Sequence, residues 1–174
     1  MNTKLMKTAK KEARKFFHGD IMGAKSNLQP IAKLFPTSPT WQLEQWKNCW
    51  CAAFVYYCVI KAGYDLPVKY PSEAVSCNFA GVKAWEEWAK LSENQYWLSS
   101  KSPSFTLEPG DIVLFDHVFL NQEHDHIGIV VEVKRNTIKT AEGNFNNVSA
   151  IVERPIEEHI RGVVRLPEIA KEKG

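Results

Sequence analysis

The sequence has no long apolar run and no strong excess of one charge. Its longest apolar stretch, residues 49–60, is well short of the roughly 20 residues that a membrane-spanning helix needs. There are 22 Lys and Arg against 20 Asp and Glu, and a net charge of +2 does not favour a nucleic acid partner. Repeats and low-complexity segments are also lacking, so 174 residues with 44% hydrophobic content suit one folded domain.

We expect no secretion signal in this sequence. Basic residues crowd the first 15 positions, but no apolar run follows them as it does in a signal peptide. We therefore expect synthesis in the cytoplasm, where the four cysteines stay reduced. Leu5, Ala9 and Ala13 instead have helical spacing, which predicts an amphipathic surface helix in a basic, partly helical lead-in over residues 1–45.

Apolar periodicity predicts helices first and an antiparallel sheet afterwards, an α+β fold. A buried helix is predicted over residues 49–61, ending at Gly63, and a second over residues 72–91 with Ser72 as its cap. Alternation and turn residues predict four strands, over residues 111–115, 126–133, 137–142 and 161–166.

One cysteine has the position of a nucleophile. Cys51 lies at the start of the buried helix, just after the capping candidate Asn48. Free amide groups and the helix dipole favour an anion there, and the same amides can hold an oxyanion. Cys58 lies two turns further along this helix and Cys77 on the second predicted helix, so we interpret both as structural cysteines.

The strand pattern predicts a base with two orienting groups. If residues 134–136 form a three-residue loop, His126 lies opposite Asn144 and Glu142 is its diagonal neighbour on the same face. A loop one residue longer would reverse these faces. Gly128 and Gly143 leave room beside these side chains, an arrangement that cysteine hydrolases require.

Four segments together resemble CHAP domains, the cysteine- and histidine-dependent amidohydrolases/peptidases of the NlpC/P60 superfamily. They are residues 50–55 (WCAAFV), 109–115 (PGDIVLF), 125–130 (DHIGIV) and 142–144 (EGN), in the family's order. The resemblance implies a papain-like fold, with N-terminal helices packed on a central antiparallel sheet. It also implies a catalytic domain over residues 46–168, after the lead-in of residues 1–45 and before a charged tail of residues 169–174.

The resemblance also implies a site and a substrate. Cys51 would be the nucleophile, His126 the base, Glu142 the third residue and Asn144 a neighbouring polar group. The implied reaction is cleavage of a peptidoglycan amide through an acyl-enzyme, by an amidase or an endopeptidase. We expect a monomer without cofactors that acts on peptidoglycan or muropeptides. We expect it to reach them after release from the cytoplasm, by a route that the sequence does not indicate.

The segment before Cys51 departs from some relatives. Those relatives bind calcium through an acidic loop there, whereas residues 35–48 offer only Glu44, so we expect no calcium site. Gln45 is a candidate for the oxyanion glutamine of papain-like proteases, although the residues that separate it from Cys51 do not match a papain pattern.

Two other functions remain open at this point. His124 and His126 on one strand face, with Cys49 and Cys51, have the atoms of a tetrahedral zinc site in a non-catalytic module. Alternatively, the thiol transfers an acyl group to a lipid or small molecule, in a pocket lined by the aromatic residues of segment 85–97.

Overall fold

Helices precede a single six-stranded antiparallel sheet, as the sequence predicts. The computed structural model describes residues 1–36 and 50–169, and the following elements lie in that part of the chain. In chain order they are α1 (Thr3–Ala13), α2 (Gln29–Ala32), α3 (Cys51–Lys61), α4 (Val82–Ala89), β1 (Trp97–Ser99), β2 (Ile112–Phe115), β3 (His126–Val133), β4 (Thr137–Phe145), β5 (Val148–Pro155) and β6 (Ile160–Val164). The strand order is β1-β6-β2-β3-β4-β5. This is the predicted α+β, papain-like architecture.

Helix α3 is the centre of the core. It packs against β3, β4 and α1, and α1 also contacts β3, β4 and β5, with Leu5 and Ala9 fully buried. A helix enclosed in this way must be apolar on all sides, which explains the composition of residues 51–59. The amphipathic helix predicted near the N-terminus is therefore confirmed, with its apolar face in the core. None of the helices in the described ranges is long and apolar enough to cross a bilayer.

Helix α3 begins and ends close to the predicted positions. Gly63 follows its C-terminus with φ +94°, a left-handed conformation that favours glycine. At the other end the N-cap is Trp50 rather than Asn48, which lies outside the described residues. The buried Trp50 side chain does not cap the helix, because an indole has no acceptor for the helix amides, and its Nε1 donates to Asn147 Oδ1 at 3.1 Å.

The second predicted helix is much shorter than expected. The prediction of a helix over residues 72–91 is wrong for its first ten residues, and α4 starts at Val82 after the N-cap Gly81. Local hydrogen bonds compete with the helix there: Ser72 Oγ accepts from the amide of Ala74, and Asn78 Oδ1 accepts from that of Ala80. Ser72 therefore caps a turn, and Cys77 precedes the helix instead of lying on it.

The β3–β4 hairpin reaches the predicted register by an unexpected path. Its loop is one residue longer than predicted, since Val133 pairs with Ile138. A β-bulge between Val130 and Glu132 then restores the offset, and Ile129 pairs with Ala141 as expected. Continued along the strands, this register brings the first residue of β3 opposite the end of β4, as predicted.

Strands β1 and β5 were not predicted. The turn before β5 is formed by Asn146 and Asn147, with φ of +50° and +66°. Two left-handed residues in succession are typical of tight hairpin turns. This hairpin makes β5 the edge strand next to β4, and β5 contributes a charged side chain to the site described below.

Candidate active site

Cys51 is the first residue of α3 and lies at the wall of a cavity of about 450 Å³. Its side chain is almost buried, with 8% of the residue exposed. The amides of its first turn have no intrahelical partner, and among the described residues no side chain caps them. The helix dipole adds partial positive charge at the same place. This end of α3 suits an anionic sulfur or an oxyanion.

His126, the first residue of β3, lies beside Cys51 in the same cavity wall. Cys51 is close enough to the imidazole to raise the pKa of His126. On its other side, His126 Nε2 is 2.6 Å from Glu142 Oε2. Because Glu142 occupies Nε2, the ring nitrogen left for the thiol is Nδ1. The structure thus brings the three predicted residues together: Cys51 and His126 line one cavity, and Glu142 is bonded to His126.

The surroundings of His126 favour its charged form. Burial lowers the pKa of the imidazole, but the charge of Glu142 and the hydrogen bonds with Cys51 and Glu142 outweigh burial and raise the pKa to about 9. The ring is therefore protonated at neutral pH. An imidazolium is the form that can give a proton to a leaving amine.

Glu142 is fully buried, and donors saturate its carboxylate. Oε1 accepts from Arg154 Nε and Thr140 Oγ1, while Oε2 accepts from Arg154 Nη2 at 2.8 Å and from His126. Burial alone would raise the pKa of this carboxyl, but the hydrogen bond from Arg154 and the charge of His126 lower it to about 2. The carboxylate stays ionised and cannot rotate without losing hydrogen bonds.

Arg154 is the residue of the site that sequence reasoning missed. It lies on β5, and three aromatic rings surround its guanidinium: Phe115, Phe119 and Phe145, with centroids 4.9, 5.5 and 6.0 Å from Cζ. The sequence feature that could have indicated Arg154 is the Asn146-Asn147 pair, which is typical of the hairpin turn that leads into β5.

Two glycines permit the close approaches on which the site depends. A Cβ on Gly143 would lie 2.4 Å from Phe54 Cβ, so glycine allows α3 to pack directly on β4. A Cβ on Gly128 would lie 3.0 Å from Glu142 Cγ, so glycine leaves the path along which Glu142 reaches His126. The room predicted at both positions is filled by these neighbours.

Asn144 lines the cavity but does not bond to His126. Its backbone is left-handed, with φ +58°, and its Oδ1 is buried with no hydrogen-bond partner among residues 1–36 and 50–169. Glu142 is therefore the residue that orients the imidazole in this structure. Because Asn144 Oδ1 is buried, the part of Asn144 that lines the cavity is not this oxygen.

Among the described residues, the predicted zinc ligands His124, His126 and Cys51 do not form a metal site. His124 precedes β3 with φ +53°, so it does not share a strand face with His126. Its Nε2 lies 2.6 Å from Oε2 of the buried Glu86 on α4, which fixes the ring. No group of three or more His, Cys, Asp or Glu side chains within the described ranges could hold a metal ion. Cys49, Gln45 and the segment predicted to lack a calcium site lie at positions that the structure does not describe, apart from residues 35–36.

The aromatic segment after α3 belongs mainly to the core. Trp85 and Trp88 are buried and pack against Phe79, with ring centroids 4.8 and 5.4 Å apart. Neither of them lines the cavity at Cys51. The aromatic pocket expected for an acyl acceptor is therefore not formed by these two residues.

Comparison with known families gives the chain its classification. A sequence model of the CHAP domain matches residues 43–144, more than half of the 174 residues. The chain belongs to the CHAP domain family. Searches of curated proteins and of solved structures find no significant match. The CHAP match covers Cys51, His126, Glu142 and Asn144 and stops short of Arg154.

Membership in the CHAP family implies an amidase or peptidase and suggests a cysteine hydrolase, with peptidoglycan as the plausible substrate. The predicted resemblance to this family is confirmed.

Proposed function

We propose that this protein is a peptidoglycan hydrolase that cleaves an amide of the wall peptide through an acyl-enzyme on Cys51. The observation that carries the proposal is that Cys51 and His126 line the same cavity of a CHAP domain, with Glu142 bonded to the far side of the imidazole. A nucleophile, a base and an orienting carboxylate are the parts that covalent hydrolysis of an amide requires.

The acylation step begins with the sulfur of Cys51. The thiolate attacks the carbonyl carbon of the scissile amide, and the resulting oxyanion faces the free amides at the start of α3. His126 then gives its proton to the leaving nitrogen as the C–N bond breaks, which leaves a thioester on Cys51 and a free amine. Glu142 keeps the imidazole oriented during this transfer.

Deacylation uses the same groups in reverse. Neutral His126 takes a proton from water, the hydroxide attacks the thioester carbonyl, and the C–S bond breaks. The products are a carboxylic acid and the regenerated thiolate–imidazolium pair.

The cavity suits a short peptide. A volume of about 450 Å³ accommodates a few small residues, and Ala80, Gly81 and Val82 form one wall without bulky side chains. We propose the stem peptide, its cross-bridge or its link to muramic acid as the site of cleavage, reached after the protein leaves the cytoplasm.

The test compares cysteine variants on purified cell walls and on defined muropeptides. Cys51→Ala and His126→Ala should each abolish release of soluble fragments. Cys58→Ala is the matched control, since Cys58 is fully buried on the same helix and burial raises its pKa well above the usual range. It should leave the activity largely intact.

Mass spectrometry of the fragments identifies the bond and the acceptor. A new carboxyl and a new amine identify hydrolysis, whereas a product joined to an added lipid or amine identifies acyl transfer. Full wall lysis by Cys51→Ala would contradict the proposal.

A further inference from the structure

The guanidinium of Arg154 meets the carboxylate of Glu142 as a two-pronged pair. Nε donates to one carboxylate oxygen and Nη2 to the other, the latter at 2.8 Å. We propose that Arg154 is a positioning residue of the site, whose guanidinium fixes Glu142 and through it the ring of His126. The inference rests on the proposed function for the reaction, but its geometry involves no substrate.

The pairing restrains Glu142 in two directions. One hydrogen bond would fix the position of a carboxylate oxygen and leave the group free to rotate, whereas two parallel bonds also fix its plane. Thr140 Oγ1 adds a third donor from the same strand. Oε2 of Glu142 is thereby held towards His126 Nε2, at a distance of 2.6 Å.

Arg154 also balances charge inside the protein. Glu142 is fully buried, and with Arg154 it forms a pair of zero net charge. A proton can then pass between Cys51 and His126 without leaving a net buried charge in either state. Without Arg154 the same site carries one uncompensated negative charge, which holds the proton on His126 more strongly.

Three phenylalanine rings hold the guanidinium in place. Phe115 comes from β2 and Phe145 from the end of β4, so the cage is built on rigid strands. Phe119 completes it and also meets His126 edge to face, with ring centroids 4.9 Å apart. A planar guanidinium stacks on such rings and fits a carboxylate with two donors, and a lysine ammonium does neither as well.

The experiment measures the site with and without a substrate. The variants are Arg154→Met, Arg154→Lys and, as matched control, Arg135→Met, since Arg135 is exposed in the β3–β4 loop. The readouts are kcat and KM on a defined muropeptide, the His126 titration by NMR, and the rate of Cys51 alkylation by iodoacetamide across pH. Alkylation needs no peptidoglycan, so it tests Arg154 even if the proposed substrate is wrong.

A positioning role predicts a specific pattern. Arg154→Met should lower kcat about 10- to 100-fold, in line with other residues that orient a reacting group. His126 should keep its proton to a higher pH, by roughly one unit, because the charge of Glu142 is no longer compensated. Arg154→Lys should restore the titration, because it keeps the charge, but only part of kcat. Arg135→Met should match the wild type.

Repeating the Arg154→Met substitution in the Glu142→Gln variant separates a positioning role of Arg154 from an effect on folding. In Glu142→Gln there is no carboxylate for Arg154 to hold, so adding Arg154→Met should change kcat less than about threefold. Two results would overturn the inference: Arg154→Met with lower thermal stability but unchanged kcat and His126 titration, or the full loss of kcat repeated in the Glu142→Gln background.

Discussion

Replacing Glu142 by glutamine removes one charge from the buried network and keeps the size of the side chain. The amide cannot accept both hydrogen bonds of Arg154, and its NH2 group faces donors instead of acceptors. Arg154 is then left inside its aromatic cage without a counter-charge. Removing one partner of a buried ion pair costs about 3–5 kcal/mol, and we expect a loss of that size in the free energy of unfolding near pH 5.5.

The pH dependence of this loss identifies its origin. The His126 pKa of about 9 lies above the ordinary 6.5, so its stabilisation is complete below pH 6.5 and disappears as the pH rises through 9. This pKa difference of His126 corresponds to about 3 kcal/mol in the free energy of unfolding. The Glu142 pKa of about 2 lies below the ordinary 4.5, so its stabilisation is complete above pH 4.5 and disappears as the pH falls through 2. The gap between wild type and Glu142→Gln should therefore be widest between pH 4.5 and 6.5.

Urea unfolding at several pH values measures this gap, and Glu153→Gln is its control. Glu153 lies on β5 like Arg154, but it pairs with Lys134 at the surface, so its replacement should change little at any pH. A Glu142→Gln variant with wild-type stability at pH 5.5, or with a deficit that does not shrink towards pH 9, would refute the electrostatic account of the site.

Further predictions concern the geometry around the site. Gly143→Ala would place a Cβ 2.4 Å from Phe54 Cβ, which should push α3 away from β4. We expect the free energy of unfolding to fall by about 1–3 kcal/mol and the activity to fall about 100-fold. Unchanged activity would contradict this packing. Gly128→Val should displace the buried carboxylate beside it and abolish the high pKa of His126, and an NMR titration still centred near 9 would count against that path. His124→Ala should remove part of the cavity wall, so KM should rise several-fold while kcat stays unchanged. A loss confined to kcat would indicate instead that His124 takes part in the reaction. Activity of the wild type should fall as the pH rises through about 9, where His126 loses the proton that the leaving amine needs; a rate that stays constant to pH 10.5 would argue against this role.

The sequence predicted the elements that carry local signals. Apolar residues recur at every second position of segment 126–133, at Ile127, Ile129, Val131 and Val133, and β3 occupies those positions. Residues 51–61 are apolar without glycine or proline, and α3 follows. The four family segments then placed the nucleophile, the base and the carboxylate on elements that meet in space. Short-range patterns were sufficient for this part of the fold and of the site.

Other features depend on contacts that a local pattern does not contain. The bulge between Val130 and Glu132 compensates for a loop one residue too long, and neither deviation is visible without the other. The helix expected from residue 72 is lost to side-chain hydrogen bonds in turns. Arg154 lies outside every recognised segment, and its role arises only because β5 pairs with β4. Contacts between residues distant in the chain therefore decide the features that local sequence patterns do not predict.

The most direct measurement of the central claim is trapping of the covalent intermediate. Wild-type protein mixed with a defined muropeptide and quenched in acid within milliseconds should carry the acyl fragment as a thioester. Peptide mapping by mass spectrometry should locate it on Cys51, and the adduct should be absent in His126→Ala. An adduct on Cys58 or Cys77, or turnover by the wild type with no protein-bound fragment at any quench time, would contradict the account.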